Sequence, residues 1–238
     1  EYLLTLTDLR FPWVLLGHGL AKFNLFIQGA DIIGTNGLSL VAAYINVLLF
    51  KSFFEKQESK NYRLKPLLIA GIIFLGLLIY GIYKVSSFEI SKRTVRVGIV
   101  QPNLNPWDKW ETGNLSQLTK QYLDLSQKCV NDGAEIILWP ETALPVYAFG
   151  GTYATVENSI YKFLDTNNVS LLTGMPDIIY YFDKSKIPQD AKFAKQGGYY
   201  YATYNAVLGF NPGSRNIQRY GKMKLVPLGE KVPFSDQL

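Results

Sequence analysis

The sequence predicts helical membrane-spanning segments followed by a layered α/β sandwich domain. Three observations carry this. Residues 32–50 contain no charge, and residues 67–83 read LLIAGIIFLGLLIYGIY, 17 residues again without a charge. From Arg93 onward, short β-rich runs alternate with amphipathic helical ones, the pattern of a layered α/β domain. The predicted division is a membrane region over 1–92 and a second domain over 93–238.

A spanning helix needs ~20 mostly apolar residues, and ~17 suffice at the lower limit. Both runs qualify, although Asn36, Gly37 and Asn46 weaken the first. A buried soluble helix would show a polar face, and 67–83 has none. The connector Lys51–Lys65 carries five positive and two negative charges. Positive short loops stay cytoplasmic, which places everything after Tyr83 on the periplasmic side. Lys84, Lys92, Arg93 and Arg96 crowd the opposite end of the second run and vote the other way. Ahead of both runs, Phe11–Ile27 is apolar and aromatic but broken by Pro12, Gly17, His18 and Gly19. It would lie in the membrane interface or re-enter, with His18 as a packing residue.

In the second domain, Val95–Val100 (VRVGIV) reads as a buried strand. Leu115–Asn131 reads as a helix with Leu115, Leu118, Tyr122, Leu125 and Cys129 on one face. Glu135–Trp139, Ser170–Gly174, Tyr199–Phe210 and Ile217–Tyr220 read as strands, and Thr152–Asn167 as a helix. Asp183–Gly198 is polar and lysine-bearing; it is either a solvated connection or a flap whose lysines meet anionic headgroups.

Composition excludes several classes. With 48% hydrophobic and 18% charged residues, the chain is not disordered. One cysteine rules out a disulfide framework or a cysteine-rich zinc site, and one histidine argues against histidine-based catalysis. No metal and no cofactor are expected. The net charge of +5 is explained by the charges flanking the spans, so no nucleic-acid partner is expected. The chain opens on Glu1 without a methionine or a signal peptide and stops at Leu238, which predicts a fragment of a longer protein.

Two clusters could do chemistry. Trp139-Pro140-Glu141-Thr142 follows a predicted strand, and Pro140 ends its ladder. Glu141 would sit at the rim of a sheet, shielded by Trp139 and so raised in pKa, as a general base requires. From this segment alone, a capping carboxylate reads equally well. The second cluster, Arg219–Phe234, holds Lys222 and Glu230 between paired glycines and prolines. A lysine in a dry pocket can stabilise an oxyanion, whereas an average lysine is simply solvated.

Together, strand–Trp-Pro-Glu and the later K-x-x-L-V-P-x-G-E-x-V-P resemble the nitrilase, or carbon–nitrogen hydrolase, superfamily. The predicted membrane hairpin, the Phe11-Pro12-Trp13 entry and Gln101-Pro102-Asn103 with Lys109-Trp110 narrow the resemblance to its bacterial membrane-bound acyltransferase branch. The resemblance implies an αββα sandwich, here partial, and a Glu–Lys–Cys triad. It makes Glu141 the general base, Lys222 the oxyanion stabiliser and Glu230 the support that orients Lys222. Asn205 falls near the active site, or is a strand-edge polar residue. Trp110 would help at the lipid entrance, with Trp107 as a nearby competitor.

The implied reaction moves an acyl chain from a membrane phospholipid, through a cysteine thioester, to the diacylglyceryl-cysteine amine of an apolipoprotein. The implied setting is the bacterial inner membrane: a multi-pass monomer with its catalytic domain in the periplasm. The departure is the nucleophile. In the family it follows the Gly-Glu-x-Val-Pro segment, and no cysteine follows Cys129 here. Cys129 itself reads as a buried structural thiol. The fragment alone is therefore expected to be inactive. A membrane-tethered amidase and a non-catalytic binding module, the latter if the natural chain lacks that cysteine, remain as alternatives. A mere structural anchor would leave Glu141 and Lys222 unexplained.

Overall fold

The computed structural model describes residues 1–54, 60–105, 115–188 and 191–234. They form two compact units, Glu1–Ser91 with Leu225–Leu238, and Lys92–Lys224.

The first unit begins with α1 (Tyr2–Thr5), 3-10 turns at Pro12–Val14 and Leu16–Leu20, and α2 (Asn24–Ile27). The long helices α3 (Ala30–Phe53) and α4 (Lys60–Ser86) follow. At 1.5 Å per residue the 24 residues of α3 extend about 36 Å, enough for a hydrocarbon core of ~30 Å. Both helices are apolar and long enough to cross a membrane, and only 17% and 11% of their most apolar stretches are buried. A soluble core helix of this composition would be mostly buried, so these surfaces fit lipid. Near its start, α3 is interrupted at Gly34, whose φ of 66° only glycine adopts without strain.

The segment before α3 packs on the hairpin through close backbone approaches. Ser39 Oγ accepts from the Gly17 N–H at 2.7 Å. Phe26 meets Phe74 with ring centroids 4.6 Å apart. Asp31 pairs with Lys84 at 2.8 Å and accepts from the Tyr80 hydroxyl at 2.9 Å, joining the start of α3 to the end of α4. His18 is exposed rather than packed, with Nδ1 3.4 Å from the Trp13 carbonyl oxygen.

The second unit is built on one sheet. Its strands are β1 (Val97–Ile99), β2 (Ile136–Trp139), β3 (Ser170–Tyr181), β4 (Lys192–Ala194), β5 (Tyr199–Phe210) and β6 (Gln218–Gly221). The order is β1-β2-β3-β5-β4, with β6 also on β5. β1, β2 and β3 are parallel; β5 runs antiparallel to β3, β4 and β6. The parallel pairs need crossovers, and two amphipathic helices make them: α5 (Leu115–Asn131) and α6 (Ala154–Asn167).

Those helices cover one face of the sheet. Tyr122 of α5 and Ile160 and Leu164 of α6 pack with Ile137, Leu171, Leu208 and Phe210 in one core. The period-two alternation of strands leaves the other face open. Ile99 is 73%, Leu172 40% and Val207 46% exposed there. α6 ends on Asn168, in the left-handed conformation at φ 51°. The turn after β5 docks on α6: Asp165 accepts from the Gly213 N–H at 2.7 Å and from Arg215 at 2.8 Å.

Two expectations are corrected. The third strand does not stop at Gly174 but continues to Tyr181, because β5 pairs with it along its whole length. Asp183–Gly198 is not one loop: Lys192–Ala194 forms β4 on the end of β5, after a 3-10 turn at Lys184–Lys186.

Candidate active site

The site lies on the open face of the sheet and is built by the ends of β2 and β6 and the middle of β5. β2 finishes at Trp139; Pro140 removes a donor and Thr142 takes φ 51°, a left-handed conformation costly for a β-branched residue. This sharp turn carries Glu141 over the neighbouring strand. It is pinned there by the Ala143 N–H, which donates to Gly174 O at 2.8 Å. β5 contributes Asn205, whose Nδ2 donates to Glu141 Oε1 at 2.8 Å. β6 is followed by Lys222, whose N–H donates to Asn205 O at 2.8 Å. Its Nζ stands 3.5 Å from the same Glu141 Oε1.

Strand alternation explains why Lys222 points this way. Gly221 pairs with Ala206 and Tyr220 with Val207, so Tyr220 shares the face of exposed Val207. Lys222, two residues on, is on that face too. Glu141, Asn205 and Lys222 border a cavity of about 510 Å³, otherwise lined chiefly by apolar groups including Leu138, Leu172 and Val207. The Glu141 side chain is 65% and that of Lys222 33% exposed. A pair so open to solvent contributes ~0–1 kcal/mol to stability. Its significance is chemical: a carboxylate, an amine and an amide donor converge at the edge of an apolar hollow.

On the opposite face lie groups the sequence reading did not single out. Asp177 of β3 is 3% exposed and ion-paired with Arg219 of β6, across β5. A lone carboxylate inside the apolar run Leu171–Tyr181 was the available signal. Gly174 of β3 also passed unnoticed: its Cα lies directly under the Glu141 turn.

The expected shielding of Glu141 by Trp139 is corrected. The indole Nε1–H donates to Ser126 Oγ at 2.9 Å, and the ring packs on Tyr122 at 4.8 Å, both on α5. Cys129 also belongs to the helix side, where it packs against Gly98 of β1, away from Glu141. Glu230 lies in the other unit, where its carboxylate accepts from the Val226 N–H at 2.8 Å within a tight turn. Trp110 and Trp107 fall outside the described residues. Among the described residues, no group of three His, Cys, Asp or Glu side chains gathers as metal ligands would.

Fold and site together define a class: an α/β sheet domain offering a carboxylate–lysine pair beside an apolar hollow, on a chain with two membrane-compatible helices. The chain belongs to the carbon–nitrogen hydrolase family, whose model matches residues 96–237. A second model, the apolipoprotein N-acyltransferase N-terminal domain, matches residues 1–48. An apolipoprotein N-acyltransferase of Chlorobaculum tepidum is 31% identical over 232 residues, 96% of this chain and 43% of that protein. Apolipoprotein N-acyltransferase 1 of Treponema denticola is 29% identical over 98% of this chain and 45% of its own length. The corresponding protein of Rickettsia typhi is 27% identical, over 94% and 40%. The chain thus spans less than half the length of these relatives. A crystal structure of a carbon–nitrogen hydrolase from Helicobacter pylori aligns over 57% of this chain and 41% of its own, with a TM-score of 0.36 and 15% identity.

Proposed function

We propose that this chain is the membrane hairpin and the base-bearing half of an enzyme that transfers an acyl chain from a phospholipid to the amino terminus of an apolipoprotein. The observation that carries this is the convergence of Glu141, Lys222 and Asn205 on an apolar hollow. The names of the relatives support the same reading.

The nucleophile in this scheme is a cysteine thiol. Cys129 does not serve, because it lies on α5 and faces Gly98 of β1, on the far side of the sheet. The relatives are more than twice as long, and the thiol would belong to that additional length. Glu141 takes the thiol proton as the sulfur attacks the ester carbonyl. The C–O bond breaks, and the proton passes to the departing lysophospholipid alkoxide. The acyl group rests as a thioester. The α-amine of the acceptor then attacks, the C–S bond breaks, and the amine proton returns through Glu141 to sulfur. Each step is easier than direct amide synthesis from an ester. Lys222 offsets the negative charge on the tetrahedral oxygen. Asn205 holds the Glu141 carboxylate by its Oε1, leaving Oε2 for the proton. Glu230 stiffens the Val226–Lys231 turn that follows Lys222.

The test uses the full-length protein in phospholipid vesicles, with the acyl-enzyme followed by mass spectrometry and hydroxylamine release. Glu141→Gln removes the base while keeping the acceptor for Asn205. We expect thioester formation to fall ~10²–10⁴-fold, the range for losing a general base. Acylation of the variant at the normal rate would overturn the assignment.

A further inference from the structure

Gly174 lies in β3 two residues from Pro176, which is in register with Asn205. A Cβ built on Gly174 would come 2.7 Å from Glu141 Cα, 3.3 Å from Pro140 O and 3.4 Å from the Glu141 N. Real Cβ atoms essentially never stand within 3.0 Å of such a group, and backbone is not a flexible end that can swing aside. The turn that carries Glu141 is held from both sides: Pro140 ties it to β2, and the Ala143 N–H is bonded to Gly174 O. Any side chain at 174 therefore forces the Glu141 turn to shift. We infer that Gly174 is a positioning residue, a notch in β3 that seats the Glu141 turn so that its carboxylate meets both partners. The inference concerns where Glu141 sits; its consequence for rate rests on the function proposed above.

Gly209 of β5 supplies the comparison. A Cβ there would meet only side-chain atoms, of Leu172 at 3.2 Å and of Gln218 at 3.4 Å, and none closer than 3.0 Å. Gly174→Ala and Gly209→Ala therefore both add a methyl group to the sheet, and only the first touches Glu141. Two readouts are taken on the full-length protein in vesicles. The first is zero-length carbodiimide coupling of Glu141 to Lys222, mapped by mass spectrometry, which needs the carboxylate and ammonium in contact and no activity. The second is the kcat and KM of acylation.

The expected result is loss of the Glu141–Lys222 cross-link in Gly174→Ala and its retention in Gly209→Ala. The kcat of Gly174→Ala falls ~100-fold at unchanged KM, as a displacement approaching 1 Å in a reacting group produces. A cross-link at the parent level in Gly174→Ala overturns the inference. Should Gly174→Ala not accumulate folded, Thr142→Gly frees the left-handed turn position, and Thr142→Gly is compared with and without Gly174→Ala. Loss of the cross-link in the double variant alone supports the notch; equal cross-linking overturns it. The cross-link also separates the two readings. If Glu141→Gln retains activity, the base assignment fails, while the cross-link still decides the role of Gly174.

Discussion

Tyr122 is fully buried, and its hydroxyl has no hydrogen-bond partner among the described residues. Burial pushes its phenol up to about 12, above the ordinary value of ~10. An unsatisfied buried hydroxyl costs ~1–3 kcal/mol, so Tyr122→Phe should stabilise the protein by about 1 kcal/mol at neutral pH. The pH dependence has a definite sign. Above pH ~10 the unfolded chain releases this phenolic proton while the folded state keeps it, so the native state loses stability between pH ~10 and the raised value. Tyr122→Phe lacks that loss, and its advantage should widen above pH ~10 in denaturant melts; a constant difference would contradict the assignment. The same neighbourhood shows where residue-level reading of the sequence reaches its limit. Glu141 was legible, because a proline after a short apolar run marks a strand end and exposes the next side chain. Its supposed shield was not. Trp139 shares with Ile137 the face of β2 that meets α5, and β2 ends before Glu141, so strand alternation does not carry Glu141 to that face. Gly174 was not legible either, since a steric notch exists only once two strands are side by side.

At the scale of elements, β6 is four residues long and lies on the side of β5 away from β3. Its register matters, because a slip of one residue would turn Lys222 to the helix side. The Asp177–Arg219 ion pair holds it by reaching across β5 to β3. Removing one partner of a fully buried pair costs ~3–5 kcal/mol; Arg219 is 30% exposed, so Asp177→Ala should cost about 2 kcal/mol. Asp177→Ala combined with Arg219→Ala should cost no more than the single change, which a double-mutant cycle in denaturant checks. Beside it, the Arg215 guanidinium and the Gly213 N–H hold the Asp165 carboxyl below its ordinary value, which ties the β5–β6 turn to α6. A depressed carboxyl contributes stability above the unfolded value of ~3.9 and loses it as pH falls through the folded value. Asp165→Asn should therefore melt below the parent at pH 7, and the two should converge on acidification. Most of these elements could be read from the sequence, because α5, α6 and β5 carry strong periodicities of their own. The run of β3 past Gly174 could not. Met175-Pro176-Asp177 looks like a stop, yet beyond Thr173 this strand pairs with β5 alone, and an edge is where a proline is tolerated.

At the scale of the whole molecule, two surfaces remain apolar and exposed, each within its own unit. One is the open sheet face that carries the site, with Ile99, Leu172, Val207 and Tyr220. Exposed apolar area of this kind marks a surface made to be covered. The αββα layering implied by the resemblance places a second sheet there. The other is the flank of α3 and α4, where Leu40, Phe50, Leu68, Ile72 and Ile79 are each at least 60% exposed. At one end of the hairpin Asp31, Tyr80 and Lys84 meet. The connector at its other end has the charge excess that retains a short loop in the cytoplasm. Four basic residues, Lys84, Lys92, Arg93 and Arg96, follow the second span. We expect the connector to be cytoplasmic and the sheet domain periplasmic, where apolipoproteins would be met. The check is labelling of intact cells with a membrane-impermeant maleimide, in full-length protein with Cys129 replaced by alanine. Lys51→Cys and Gln196→Cys place thiols at exposed positions in the two units. Gln196→Cys should label in intact cells once the outer membrane is permeabilised, and Lys51→Cys only after the inner membrane is broken. The reverse pattern would put the site on the cytoplasmic side, where an acceptor awaiting export would have to be its substrate.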